Sequence, residues 1–123
     1  MEQLIDATIL GLIALIIDVP WLLWTQTTSS KLVQGIQGSS LSIRYGPAAA
    51  IYLAIGFLIS KAKSPVEAAL IGAATYAVYD LTNYATLKNF TAEFAATDIV
   101  WGGVLFGLTA LAAQKIGAFR FRG

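Results

Sequence analysis

Apolar runs of membrane-spanning length alternate with short polar stretches along this chain of 123 residues. A bilayer core of about 30 Å calls for roughly 20 mostly apolar residues per helix. Four segments answer: about Leu4 to Trp24, Tyr45 to Ser60, Pro65 to Tyr84 and Ala92 to Gln114. The second is short, and the fourth opens on polar residues, so that its hydrocarbon part starts near Phe94. The pattern predicts an all-α fold, a four-helix transmembrane bundle with short loops. No stretch reads as a linker, so residues 1–123 form a single integral membrane domain.

The polar stretches mark the connections. Thr25 to Arg44 is rich in Ser, Thr, Gln and Gly, the composition of a loop. Its side chains cannot satisfy one another in hydrocarbon, so the part from Gln26 to Arg44 is expected to lie flat at the interface. Within it, Lys31 to Ile36 could form a short surface helix with Leu32, Val33 and Ile36 facing lipid. Lys61-Ala62-Lys63-Ser64-Pro65 is a tight turn in which Ser64 caps and Pro65 opens the next helix. Lys88-Asn89-Phe90 joins the last two spans, with Thr91 or Thr97 as the cap. The N-terminal run is not a cleaved signal, because Glu2 and Asp6 stand where positive charge belongs. It is expected to stay as an anchor.

Composition narrows the chemistry. The chain is 57% hydrophobic and 12% charged, with a mean hydropathy of +0.70, where soluble domains carry about 25% charged residues. A net charge of +1 excludes the basic face that a nucleic-acid partner needs. There is no Cys and no His, which removes disulfides, thiolate nucleophiles, zinc sites, His-ligated haem and Ser-His triads together. The sequence calls for no cofactor and no metal. The partner it does call for is the lipid bilayer.

Four spans bring both termini to one side. Lys61, Lys63, Lys115, Arg120 and Arg122 gather there, against Lys31, Arg44 and Lys88 on the other. The positive-inside rule then predicts cytoplasmic termini. The tail Phe119-Arg120-Phe121-Arg122 suits a headgroup region, with rings down and guanidinium groups on anionic lipid phosphate.

Three acids interrupt the apolar runs: Asp18, Asp80 and Asp98. A carboxylate in hydrocarbon costs a few kcal/mol or more, so it faces a partner or a cavity. Counted at about 1.5 Å per residue, all three fall in the half of the bilayer away from the termini, about 6 to 10 Å below its surface. They are predicted to converge in one buried polar cluster. Residues three and four apart share a helix face, so Tyr76, Asp80, Asn83 and Tyr84 line one face of the third span. On the fourth, Asp98, Trp101 and Gly102 do the same. Asp18 neighbours Trp21, and Pro20 frees the carbonyl of Ile16. Trp24, Tyr45 and Tyr84 also read as interface anchors. Gly103 to Gly107 and the Ala69, Ala73, Ala77 row read as packing faces within the bundle. Asp80→Leu is expected to strand Tyr and Asn donors, at about 1–3 kcal/mol each.

Three stretches carry a family resemblance. They are Asp18-Val19-Pro20-Trp21-Leu22, the run from Tyr79 through Asp80-Leu81-Thr82-Asn83 to Lys88, and Asp98-Ile99-Val100-Trp101-Gly102. In this order they resemble the predicted membrane proteins of domain-of-unknown-function family 2177. The resemblance covers nearly the whole chain and implies a small integral membrane protein, found mainly in bacteria and also in some large DNA viruses. It implies no established activity. The chain departs from the pattern at Pro20 and in its Ser- and Gln-rich first connection.

Three classes of function fit these features. The first is a membrane or virion-membrane component whose polar cluster binds an ion, a proton or a lipid headgroup, or simply holds the bundle together. The second is a dimeric small transporter with Asp18 as its coupling acid, which would require a homo-oligomer. The third is a lipid-modifying membrane enzyme, although the acid spacing of lipid phosphotransferases is absent.

Overall fold

A computed structural model of the chain describes residues 1–37 and 45–121. Four helices account for nearly all of them: α1 (Glu2–Gln37), α2 (Tyr45–Ser60), α3 (Pro65–Thr86) and α4 (Ala92–Lys115). There is no strand among the described residues. Helix α2 covers its apolar segment, and α3 and α4 run a residue or two beyond theirs.

Helix α1 overturns the expected loop. It continues for thirteen residues past Trp24, through Pro20 and the polar stretch to Gln37. Once a helix is nucleated, each further residue is cheap to add, and no proline or paired glycine interrupts this stretch. Thr25 returns its hydroxyl to the carbonyl of Trp21 at 2.8 Å, which satisfies the polar side chain within the helix. Tertiary packing supplies the rest. Leu32, Val33 and Ile36 are half-buried and line a groove with Leu87, Phe90 and Phe94, so they face the α3–α4 turn. Asn89, in the left-handed region at φ 70°, donates its side-chain amide to the carbonyl of Gly35 at 3.3 Å. The part of the expected loop in residues 38–44 lies outside the described residues.

The remaining ends are set by local chemistry. Ser64 accepts the backbone N–H of Glu67 at 3.1 Å, with Pro65 at the first helical position, and Glu67 Oε1 accepts the N–H of Lys63. Thr91, not Thr97, caps α4 by accepting the N–H of Phe94 at 3.1 Å. At its other end Gly117 adopts φ 74°, and Ala118 and Gly117 donate back to Ala113 and Gln114. This double bond closes the last turn and requires the left-handed residue that glycine provides.

The helices pack as two hairpins. The most extensive interfaces are α3 with α4 and α1 with α2, and α1 against α4 joins the halves. Glycine permits the closest approaches. A methyl on Gly56 would run into the carbonyl of Ala7, and one on Gly102 into the ring of Tyr76. Gly103 and Gly107 face Ala73 and Ala69, so the small-residue rows do pack within the bundle. Because Ala7 meets Gly56 and Gly11 meets Tyr52, each step up α1 matches one step down α2. That register carries Tyr45, the first residue of α2, to the level of Asp18. Beyond this level α1 runs on past the start of α2 toward the α3–α4 turn.

Leu10, Ile59, Leu105, Phe106 and Ala110 form the core, yet the outward faces are equally apolar. Leu12, Ile16, Leu23, Ile51, Phe57, Val78, Val100 and Leu111 are all exposed. A surface this apolar is far more than a soluble monomer tolerates. Helices α1 and α4 are each long and apolar enough to cross a membrane, and α2 is apolar but shorter.

Candidate functional site

Asp18 is 5% exposed and sits where the hairpins meet. Its two oxygens take one donor from each half of the molecule. Tyr52 of α2 donates its hydroxyl to Oδ2 at 2.5 Å, and Trp101 of α4 donates its indole N–H to Oδ1 at 2.7 Å. Hydrogen bonds to an ionised acceptor are the stronger kind, so this carboxylate is well compensated for its burial. Trp21 fixes the donor in turn. Its ring stacks on Trp101 with centroids 4.7 Å apart and planes within 5° of parallel. Sequence reasoning named Asp18, Trp21 and Trp101 but missed Tyr52. A phenol in the middle of an apolar helix needs a partner for its O–H, and that was the available signal.

Asp80 and Asp98 are arranged differently. Asp80 is 4% exposed, and its Oδ2 is fully enclosed without a hydrogen-bond donor. Asp98 of α4 is the neighbouring acid, close enough for the two carboxyl groups to interact. Two carboxyl groups can bond to each other only when a proton, or a cation, lies between them. Tyr76, one turn before Asp80, is held by the space that Gly102 leaves and by an edge contact to Phe106 at 6.2 Å. Its hydroxyl neighbours Asp18, Asp98 and Asp80. Tyr76 therefore neighbours both Asp18, whose two oxygens have donors, and Asp80, whose Oδ2 has none. The other buried side-chain oxygen without a partner is Thr109 Oγ1, about three turns further down α4.

The expectation of three buried acids in one cluster needs correction. Asp98 is only half-buried, because α4 turns it toward a groove between the upper parts of α1 and α4. No three acidic side chains among the described residues approach closely enough to share a metal ion. The groove has a volume of about 370 Å³, and Trp21, Trp24, Thr28, Glu93, Thr97 and Asp98 contribute to its walls. It opens toward the α3–α4 turn.

Two other expected members lie elsewhere. Asn83 lines the separate groove beneath Leu32 and Ile36, and Tyr84 is exposed on the outside of α3. Of the four residues expected on this face, Tyr76 and Asp80 lie toward Asp98 while Asn83 and Tyr84 do not. Asp80→Leu consequently leaves no donor stranded at Oδ2.

The family model described as "Predicted membrane protein (DUF2177)" matches residues 4–115. No curated protein and no solved structure matches the chain. The chain belongs to this family of predicted membrane proteins.

Proposed function

We propose that this member of the family is a multi-pass membrane protein, with all four helices in the bilayer and both termini on the cytoplasmic side. Its Asp80–Asp98 pair binds a positively charged species, a proton or a cation, at the floor of the α1–α4 groove. One observation carries this reading. The chain gives Asp18 two donors and gives the equally buried Asp80 Oδ2 none. A carboxylate kept only to hold helices together would be satisfied as Asp18 is, since an unmet buried acceptor costs about 1–3 kcal/mol. Unpaired acids inside a membrane protein mark ion or proton sites by default.

Asp18 is the structural acid on this reading, which leaves it poorly suited to the coupling role of a transporter. The charged and titratable groups around the pair are Asp18 from α1, Tyr76 from α3 and Glu93 from α4. At the opposite end, Phe119 and Phe121 pack against the bundle while Arg120 is exposed, which favours contact of the tail with anionic headgroups.

Infrared difference spectroscopy on the purified protein tests the proposal through the carbonyl stretch of a protonated carboxyl. A band that responds to pH or to added sodium, persists in Asp18→Asn and disappears in both Asp80→Asn and Asp98→Asn is expected. No responsive band, or one lost only in Asp18→Asn, contradicts it.

A further inference from the structure

The groove in front of Asp98 is larger and differently walled than a proton or a bare metal ion requires. Its volume of about 370 Å³ lies in the range of small-molecule sites, roughly 300–1,000 Å³. We infer that it receives an organic ammonium group, a substituted amine or quaternary nitrogen, held between the faces of Trp21 and Trp24 and the carboxylates of Asp98 and Glu93. This rests on the reading of Asp80–Asp98 as a site for positive charge and names the class of ligand that reaches it.

The walls argue for that class. Trp21 and Trp24 stand edge to face, with centroids 5.5 Å apart and planes at 69°, so they form a corner with two ring faces. Trp24 is 78% exposed, so its ring is open to a ligand entering the groove. Cations within about 6 Å of a ring centroid are attracted to its face, indole most strongly. Two acids and no Lys or Arg contribute to the wall among the described residues. The hydroxyls of Thr28 and Thr97 accept any N–H the ligand retains. Small inorganic cations prefer several converging oxygens, and no three acidic side chains among the described residues come together here. A neutral apolar ligand would have to desolvate Asp98 without compensation. Behind the groove lies Asp80, buried and without a donor, so the positive charge of a ligand at Asp98 completes an environment that the protein leaves unfinished.

An ammonium group can come from a phospholipid headgroup or from a free amine, and the chemistry of the groove is the same for both. Lys31 lines the adjoining groove, which shares Thr28, Thr91 and Phe94 with this one, and could meet the phosphate of a zwitterionic headgroup.

The chain's three tryptophans provide the assay, because Trp21 and Trp24 wall the groove and Trp101 stacks on Trp21. Protein in a non-ionic detergent is titrated with tetramethylammonium chloride, against sodium chloride at equal concentration, while tryptophan emission is read. A saturable change with tetramethylammonium alone is expected. Asp98→Asn should weaken it by roughly tenfold or more, as the loss of a charged partner does. Trp24→Leu and Glu93→Gln, both at exposed positions that the fold does not need, should each weaken it about three- to fivefold. In phosphatidylcholine nanodiscs a blunted response, with a full one in phosphatidylglycerol, identifies a headgroup as the occupant. Equal responses in the two identify a free amine. An emission change that is absent, unsaturable or indifferent to all three substitutions overturns the inference. If the infrared carboxyl band still responds to pH in that case, the Asp80–Asp98 site stands and only its ligand class is wrong.

Discussion

Trp101 donates its indole N–H to Asp18 at 2.7 Å, and the two residues belong to different hairpins of the bundle. This bond, with the stacked Trp21 behind it, is the polar tie across the α1–α4 seam. It also accounts for how one acid can be buried without being reactive. Each oxygen of Asp18 has a donor, one from within its own hairpin and one from the other.

Trp101→Phe keeps an aromatic ring on Trp21 but removes the N–H. Stability in detergent should fall by about 1.5–3 kcal/mol, the worth of a hydrogen bond to a charged group. Tyr52→Phe should cost a similar amount. Asp18→Leu, which strands both donors, should cost more than either. Unfolding curves for the three variants check the order.

Close helix approach predicts a second ranking. Gly56→Ala and Gly102→Ala force a methyl into the carbonyl of Ala7 and the ring of Tyr76, and each should destabilise by about 1–3 kcal/mol. Gly46→Ala meets nothing within 4 Å and should leave the unfolding curve unchanged. Equal behaviour of the three would refute the packing argument.

How far this site could be read from the sequence differs residue by residue. The starts of α3 and α4 were legible because Ser64-Pro65 and Thr91 announce them. Asp18 and Asp80 were legible from the cost of burying charge. The extension of α1 was not, because a polar composition looks like a loop until the apolar face of Leu32, Val33 and Ile36 finds Phe90 and Phe94. Helix spacing put Asn83 and Tyr84 beside Asp80, but spacing on one helix says nothing of where its neighbour ends. Which acid would be satisfied could not be read at all. That depends on Tyr52 and Trp101 arriving from two other helices.

The extended α1 is itself open to test. The chain has no cysteine, so an introduced pair is clean. Ile36→Cys with Leu87→Cys, facing each other across one groove, should be joined efficiently by a short bifunctional maleimide within one chain. Leu22→Cys with Leu87→Cys should not. A helix that ended near Trp24, with the following residues spread on the interface, would give no such contrast.

Asp18 has a donor on each oxygen and Asp80 Oδ2 has none, and the thermal unfolding midpoint of Asp80→Leu in detergent tests that difference most directly. Removing Asp80 relieves an unmet buried acceptor worth about 1–3 kcal/mol and strands no donor at Oδ2, and Asp98, half-buried on the open groove, can take water as its partner instead. The midpoint should therefore hold or rise, while that of Asp18→Leu falls. If Asp80→Leu lowers the midpoint as much as Asp18→Leu does, Asp80 is a structural tie and the proposed site is wrong.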